Sequence, residues 1–589
     1  MAQSGVAMRA LQGLPLRTSC LLKSTYARQS LFVPLTRQQW LSPRSFHGYS
    51  HQQRVVAKSL AATSQLRTIR SYSSSTMDQH ERSVGRIAND VRKYFEKGES
   101  FRVQHGSTNS TRPQRNKRLV DISDLNNVLK VDTEKRIALV EPNVPMDRLV
   151  EATLEYGFVP PVVMEFPGIT AGGGYAGTAG ESSSFKHGFF DRTMNSVEMV
   201  LGNGEVIRAS ATENADLFHG TAGAVGSLGI VTLIELQLVP AKKYIKATYH
   251  RRENVTDALK CAREETSNPV NDYVDGILFS KEHGVIVTGT MTDEKPADAQ
   301  VQTFSHAKDP WYYLHVQDRT RKLTAPVVEY IPLAEYLFRY DRGGFWVGTS
   351  AFKYMKFPFN KSTRWFLDDF MHTRMLYRAL HASSESSQYI VQDLALPYSN
   401  AEAFIDYTSE IFGIWPLWLC PLKQSPQPTM HPHHPHLPSS SSSAKSDPPA
   451  TTVVAAPEDM INVGVWGFGP PDFDTFVSAN RDLEHKLREL GGMKWLYAHT
   501  YYTPEEFWQQ FDKPWYDALR EKYHATTLPS VYDKVAIDVE AGRKEIKESW
   551  SGKVKSVKPL GGFWGIAKAI RSRDYMIARN STWKYKKGE

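Results

Sequence analysis

The run Thr170-Ala171-Gly172-Gly173-Gly174-Tyr175-Ala176-Gly177-Thr178-Ala179-Gly180-Glu181-Ser182-Ser183-Ser184 places five glycines in nine positions and follows them with hydroxyls. Glycine tolerates positive φ and close backbone approach, so successive N–H groups can converge on phosphate oxygens, and the run is a candidate pyrophosphate cradle. Gly172, Gly174 and Gly177 also match G-x-G-x-x-G by spacing, but that fingerprint should open a long helix within a βαβ unit. Here Ser182 to Ser184, a polar-aromatic stretch from Lys186 to Phe190 and then strands follow, so no Rossmann site is expected. On the glycines alone, a purely structural loop stays open as the alternative. A second cluster, His431, His433, His434 and His436, has metal-ligating residue types, but proline interrupts it and low-complexity sequence flanks it, so it reads as incidental.

These residues need elements to hold them. The three- and four-residue spacing of Val84, Ile87, Val91 and Phe95 predicts an amphipathic helix opening the folded region. Short β-branched runs follow (118–121, 136–140, 196–201, 205–209 and 230–238), with one helical stretch from Pro145 to Tyr156. Gly202-Asn203-Gly204 should close a hairpin. Beyond Lys242 the pattern predicts strands at 276–279, 285–289 and 462–468, and helices at 363–380, 400–411 and 479–490. Residues 423–459 are rich in Pro, Ser and His, a composition expected to stay disordered as an insertion. The last segment, 536–589, is basic. Phe563, Trp564, Ile566 and Ile570 lie beside Lys568, Arg571 and Arg573, a pattern that suits either a membrane-surface helix or a solvated tail.

A chain of 589 residues should divide into at least two domains. Cys20, Cys261 and Cys420 are too few for a disulfide framework or a paired-cysteine zinc site, and a reducing compartment fits best. The net charge of +8 is local: residues 1–77 carry ten Lys or Arg and no Asp or Glu, leaving 61 basic against 63 acidic residues. Nucleic acid is therefore not an expected partner. The Arg- and Ser-rich leader has the composition of a mitochondrial transit peptide; if translation instead starts at Met77, the endoplasmic-reticulum surface or the cytoplasm is expected. No run reaches the ~20 apolar residues of a spanning helix, so any membrane contact should be peripheral.

In order and spacing, several segments resemble the FAD domain of the vanillyl-alcohol-oxidase (PCMH-type) family. They are Val140-Glu141-Pro142 with Met146, the glycine run with Gly188, Val200 to Glu205, Glu213 to Phe218, and Gly223 to Val231. Within it the chain resembles the delta(24)-sterol reductases, or diminuto-like proteins. The matching segments are Gly180 to Gly188, Pro240 to Tyr244, Thr288 to Glu294, Glu329 to Leu333, Val391-Gln392-Asp393, Trp415 to Pro421, Glu505 to Trp508 and Val531 to Lys534. The resemblance implies an α+β protein: leader 1–77, a two-part PCMH-type FAD-binding domain at 78–242, an α+β substrate (cap) domain at 243–535 carrying the insertion, and the tail.

It also implies that Thr170 to Ser182, His105, Gly106, Gly226, Gly229 and Ile230 bind FAD. Many relatives attach FAD to a histidine that follows a Gly-Gly pair in this loop. His105 precedes Gly106 instead, so non-covalent FAD is expected. NADPH would reduce the flavin, and hydride would pass to a side-chain C24 double bond of a sterol. An isolated alkene accepts hydride poorly, so a proton donor in a dry pocket is required. Asp393, Tyr497, Tyr501 and Glu506 are the candidates, with His499 standing where an acidic residue is expected; structural roles, in the core for the tyrosines and at a helix start for Glu506, are the alternative. Trp415, Trp418, Trp466 and Trp508 suit a flat hydrophobic ligand or a plain core equally. Two other functions stay open: an FAD-linked oxidase of a sugar lactone or alcohol using O2, and a catalytically inactive flavin- or sterol-binding protein.

Overall fold

The β-branched runs between Val128 and Gln237 pair into a five-stranded antiparallel sheet. Its order is Val128–Asp132, Ile137–Val140, Ile230–Gln237, Met194–Val200 and Val206–Ser210. The expected hairpin joins the last two: Val200 faces Val206, and the turn holds Gly204 at φ +83°. The computed structural model describes residues 76–105, 118–322, 325–383, 388–434, 459–548 and 560–586. The leader expected at 1–77 lies outside them up to residue 75.

A helix at residues 76–96 precedes the sheet. Val84, Ile87, Ala88 and Val91 are its buried stripe. His80 fixes its start, its ring nitrogens lying 2.8 Å from Glu141 Oε1 and 3.2 Å from Glu198 Oε1.

Residues 244–494 form a second, eight-stranded antiparallel sheet. Its order is Val327–Pro332, Tyr244–Arg252, His283–Thr292, Tyr273–Ser280, Leu417–Leu422, Met460–Phe468, Tyr389–Pro397 and Met493–Lys494. Side chains alternate between the faces of a strand. Ile390, Leu394, Val463, Val465 and Leu419 therefore share one core with the helices Val255–Thr266, Tyr398–Ile411 and Phe473–Glu489. The intervening residues Asp393, Asn462, Trp466, Trp418 and Asp275 fall on the opposite face. The architecture is α+β.

Three expectations need correction. The helix expected at 363–380 is broken into Lys361–Phe366, a 3-10 turn Asp368–Phe370 and Thr373–Ser383. Asp341 accepts hydrogen bonds from the Thr373 amide at 3.1 Å and the Thr373 hydroxyl at 2.5 Å, which starts a new helix there. The insertion expected to be disordered from 423 is ordered through His434. Met430 and His431 are buried, and His431 lies against the Phe189 ring (centroids 4.7 Å apart) with Nε2 at 3.1 Å from Asp191. Residues 435–458, including His436, lie outside the described residues. The tail is not simply solvated: helix Leu560–Ser572 packs on Thr373–Ser383, Arg378 bonds Asp574 at 2.6 Å, and Trp583 is buried against Phe338. Composition failed in both places because a few apolar or hydrogen-bonding residues, each with a long-range partner, suffice to anchor a polar segment.

Candidate functional site

A cavity of about 390 Å³, within the roughly 300–1,000 Å³ usual for ligand pockets, is bounded by the glycine run on one side and by the polar face of the eight-stranded sheet on another. Thr170 caps the short helix Ala171–Ala176, its Oγ1 accepting from the Gly173 amide at 3.1 Å. The amides of Gly172, Gly174, Gly177 and Ala179 also have protein partners: Pro142 O at 2.8 Å, Thr170 O at 2.8 Å, Gly173 O at 2.9 Å and Gly174 O at 3.0 Å. These amides are satisfied within the protein because the run winds into helix instead of staying extended. What its glycines provide is a wall without side chains. Gly174 also permits close packing, since a Cβ there would lie 2.4 Å from Met164 Cε.

Of the other expected cofactor residues, Tyr175, Ala176, Gly180, Glu181, His105, Gly226, Gly229 and Ile230 line the cavity. Ala171, Thr178 and Ser182 do not: Ala171 is core, Thr178 (φ +51°) gives its carbonyl to Trp495 Nε1 at 2.8 Å, and the Ser182 hydroxyl points to Glu165 at 3.3 Å. Gly106 lies outside the described residues. Lys534, from the closing segment, donates to the carbonyls of Val225 (3.1 Å) and Gly226 (2.7 Å) and pins that loop at the cavity edge.

The acid candidates separate. Asp393 and Tyr497 meet on the cavity wall, where the Tyr497 hydroxyl donates to Asp393 Oδ2 and Asn462 Nδ2 donates to Asp393 Oδ1 at 2.8 Å. Gly464 faces Asp393 across the sheet, and a Cβ there would stand 3.1 Å from Asp393 Oδ1, so glycine keeps room for the carboxylate. Burial raises the Asp393 carboxyl while hydrogen bonds from Tyr497, Asn462 and Trp466 lower it, leaving it at about 6. Burial and the facing carboxylate push the Tyr497 phenol well above its ordinary value. Tyr501 and Glu506 are elsewhere. Tyr501 is packed in the helix-covered core, its amide donating to Glu484 at 2.9 Å. Glu506 closes a capping box with Thr503 and meets His485 at 2.9 Å, on the surface. His499 does not line the cavity; its carbonyl accepts from Lys494.

Sequence reasoning missed a buried charge cluster beside this pair. Arg339 Nη2 lies 2.7 Å from Glu165 Oε1 and 3.1 Å from Asp275 Oδ2, with its guanidinium 4.1 Å from the Tyr336 ring centre. Trp418 Nε1 and the Tyr340 hydroxyl also donate to Asp275, at 3.2 Å and 2.9 Å. Burial lifts the Glu165 carboxyl to about 8 despite Arg339; burial, then the charges of Glu165 and Asp393, push Glu181 well above the carboxylate range. One cation cannot neutralise this many carboxylates, so the cavity wall keeps protons at neutral pH. The available signal was Glu165 alone among apolar neighbours in Pro160-Pro161-Val162-Val163-Met164-Glu165-Phe166-Pro167. Nothing in the sequence marks Arg339 as its partner.

Residues 82–210 match a family model described as an FAD binding domain. Over 471 aligned residues the chain is 30% identical to the delta(24)-sterol reductases of Macaca fascicularis and Homo sapiens, covering 77% of this chain and 86% of each relative. The delta(24)-sterol reductase of Arabidopsis thaliana is 27% identical over 452 residues, 73% of this chain and 78% of that protein.

The cavity fits a flavin dinucleotide. A Cβ on Gly173 would meet only Thr170 Oγ1 at 3.1 Å and Ile169 at 3.9 Å, so packing does not demand glycine at this exposed helical position. Glycine there costs roughly 0.5–1 kcal/mol relative to alanine, and the space kept open belongs to the cavity. Glu165 Oε2 is buried at the same wall with no hydrogen-bond partner among the described residues, a polar atom that a bound ligand can satisfy.

Proposed function

Because the chain belongs to the delta(24)-sterol reductase family and is an FAD-dependent oxidoreductase, we propose that it reduces the C24 side-chain double bond of a sterol with NADPH as hydride source. The observation that carries this reading is the half-buried Asp393–Tyr497 pair on the wall of the cavity bounded by the glycine run. Hydride transfer from NADPH to the substrate is the chemistry that bound FAD would supply.

The chain's own part is binding, drying and proton supply. Thr170 and the glycines of the run, with Gly226, Gly229 and Ile230, would hold the dinucleotide, without a covalent bond to His105. Phe345, Tyr377, Trp418 and Trp466 line an apolar chamber that excludes water from a hydrophobic substrate. Tyr497 Oη holds the proton that the alkene must receive, and Asp393 orients the phenol and replenishes it from its own carboxyl, which is half-protonated near pH 6. Asn462 fixes the carboxylate from the other side.

The test is anaerobic mixing of purified protein with NADPH, then with a sterol bearing a C24 double bond. Bleaching of the flavin followed by recovery and a product two mass units heavier, as addition of H2 requires, is expected. Flavin that NADPH leaves oxidised, or that only O2 reoxidises, would refute the reductase reading.

A further inference from the structure

We infer that the exposed face of residues 353–366, with the outer face of helix Leu560–Ser572, docks on an anionic lipid bilayer, and that hydrophobic substrate reaches the cavity from that side. The second clause rests on the sterol reading above.

Within ten residues, Phe357, Phe359, Trp365 and Phe366 all face solvent; Phe366 is 77% exposed and Trp365 54%. Single apolar side chains scattered over a surface need no explanation, but a contiguous aromatic cluster marks an interaction site. The cluster sits on a built element: Asn360 caps helix Lys361–Phe366 through the amides of Ser362 and Thr363, with the reciprocal bond from Thr363. Residues 347–366 contain Lys353, Lys356, Lys361 and Arg364 and no acidic residue. The aspartates that follow are already engaged, Asp368 with Arg342 at 2.7 Å and Asp369 with Arg579 at 2.9 Å.

The Arg579–Asp369 pair ties this element to the C-terminal segment. Helix Leu560–Ser572 turns Ala569 inward and leaves Trp564 (51% exposed) and Ile570 outside beside Lys568 and Arg571; residues 560–573 also lack acids. Aromatic side chains surrounded by cations and free of anions are complementary to the headgroup region of an anionic membrane, where the rings enter the interface and the cations meet anionic headgroups. Such a charge pattern opposes docking of a second copy of the same face.

A small apolar crevice adjoins the cavity on the side of these elements. Phe166, Tyr377 and Trp466 line both the main cavity and an adjoining apolar crevice whose other walls include Val347, Leu376 and Leu380. Val347 begins the helix that leads to the aromatic cluster, and Leu376 and Leu380 belong to the helix on which Leu560–Ser572 packs.

The test is flotation of the full chain with phosphatidylcholine–phosphatidylserine vesicles and with pure phosphatidylcholine vesicles. Binding should favour the anionic vesicles and weaken with salt. The double variant Trp365→Ser/Phe366→Ser should lose at least about ten-fold in partitioning; Lys361→Glu should lose roughly five-fold or more on anionic vesicles only; Trp564→Ser should weaken binding as well. Turnover of sterol delivered by cyclodextrin should be unchanged in these variants, while turnover from vesicles falls. Vesicle binding that is absent, or equal in Trp365→Ser/Phe366→Ser and the parent, overturns the docking surface, as does a dimer that the double variant dissociates without altering flotation. Vesicle binding that responds as expected in a protein without sterol turnover leaves docking standing and removes the function instead.

Discussion

The Tyr497 hydroxyl donates to Asp393 Oδ2 across 104 residues of sequence, and the Cβ of the same tyrosine lies 3.8 Å from where a Cβ on Gly177 would stand. One side chain thus joins the carboxylate on the sheet face to the glycine run.

Replacing either member should separate proton supply from cofactor binding. Asp393→Asn and Tyr497→Phe are expected to keep FAD and lower steady-state turnover by about 10²–10⁴-fold. Flavin absorbance of the purified variants, measured with turnover, checks this.

The same pair sets a pH dependence. The Asp393 carboxyl titrates at about 6, above its ordinary 3.8, and its protonated form is the one required. Turnover should therefore decline as pH rises through about 6, and Asp393→Asn should flatten that limb of the profile. A profile that keeps the same limb in the variant would assign it to another group.

Gly173 separates packing from ligand space. A Cβ at Gly173 is crowded only by the Thr170 hydroxyl, at 3.1 Å, so Gly173→Ala should keep the melting temperature of the apoprotein within a few degrees, but FAD affinity should fall by at least about ten-fold as the methyl group enters the cavity. Gly174→Val, whose Cβ would meet Met164 at 2.4 Å and Phe190 at 2.9 Å, should destabilise the apoprotein itself. Thermal melts with and without FAD distinguish the two.

His80 makes a pH-dependent contribution to stability rather than to turnover. Burial depresses its charge, but hydrogen bonds and charge from Glu141 and Glu198 outweigh this and raise it to about 9 from 6.5. Its stabilising protonation is fully present below about 6.5 and lost as pH rises through about 9. His80→Gln should lower the apparent melting temperature by roughly 2–4 °C at pH 6.5, and the gap to the parent should close by pH 10.

Much of this was legible in the sequence because it rests on local pattern. Short β-branched runs found strands on both sides of the cavity, and the glycine spacing found its side-chain-free wall. Asp393 and Tyr497 emerged from ordered motif matches, which do not measure distance; Tyr501, only four residues from Tyr497, came with them although its side chain points into a different core. Glu506 was misplaced because a capping carboxylate and a catalytic one look alike until the Thr503 amide is seen to hold it. Arg339, Asp275 and Glu165 converge from three distant segments, and no local periodicity encodes such a meeting. The tail and residues 423–434 were misread because composition averages over residues, whereas single anchors such as Trp583 and His431 decide whether a segment docks.

The most direct measurement is rapid-mixing absorbance on Asp393→Asn beside the parent, first with NADPH under anaerobic conditions and then with a C24-unsaturated sterol. Equal rates of flavin bleaching in both proteins are expected, with recovery of the absorbance slowed by at least about 10²-fold in the variant. Equal recovery rates, or flavin lost from the variant on purification, would contradict it.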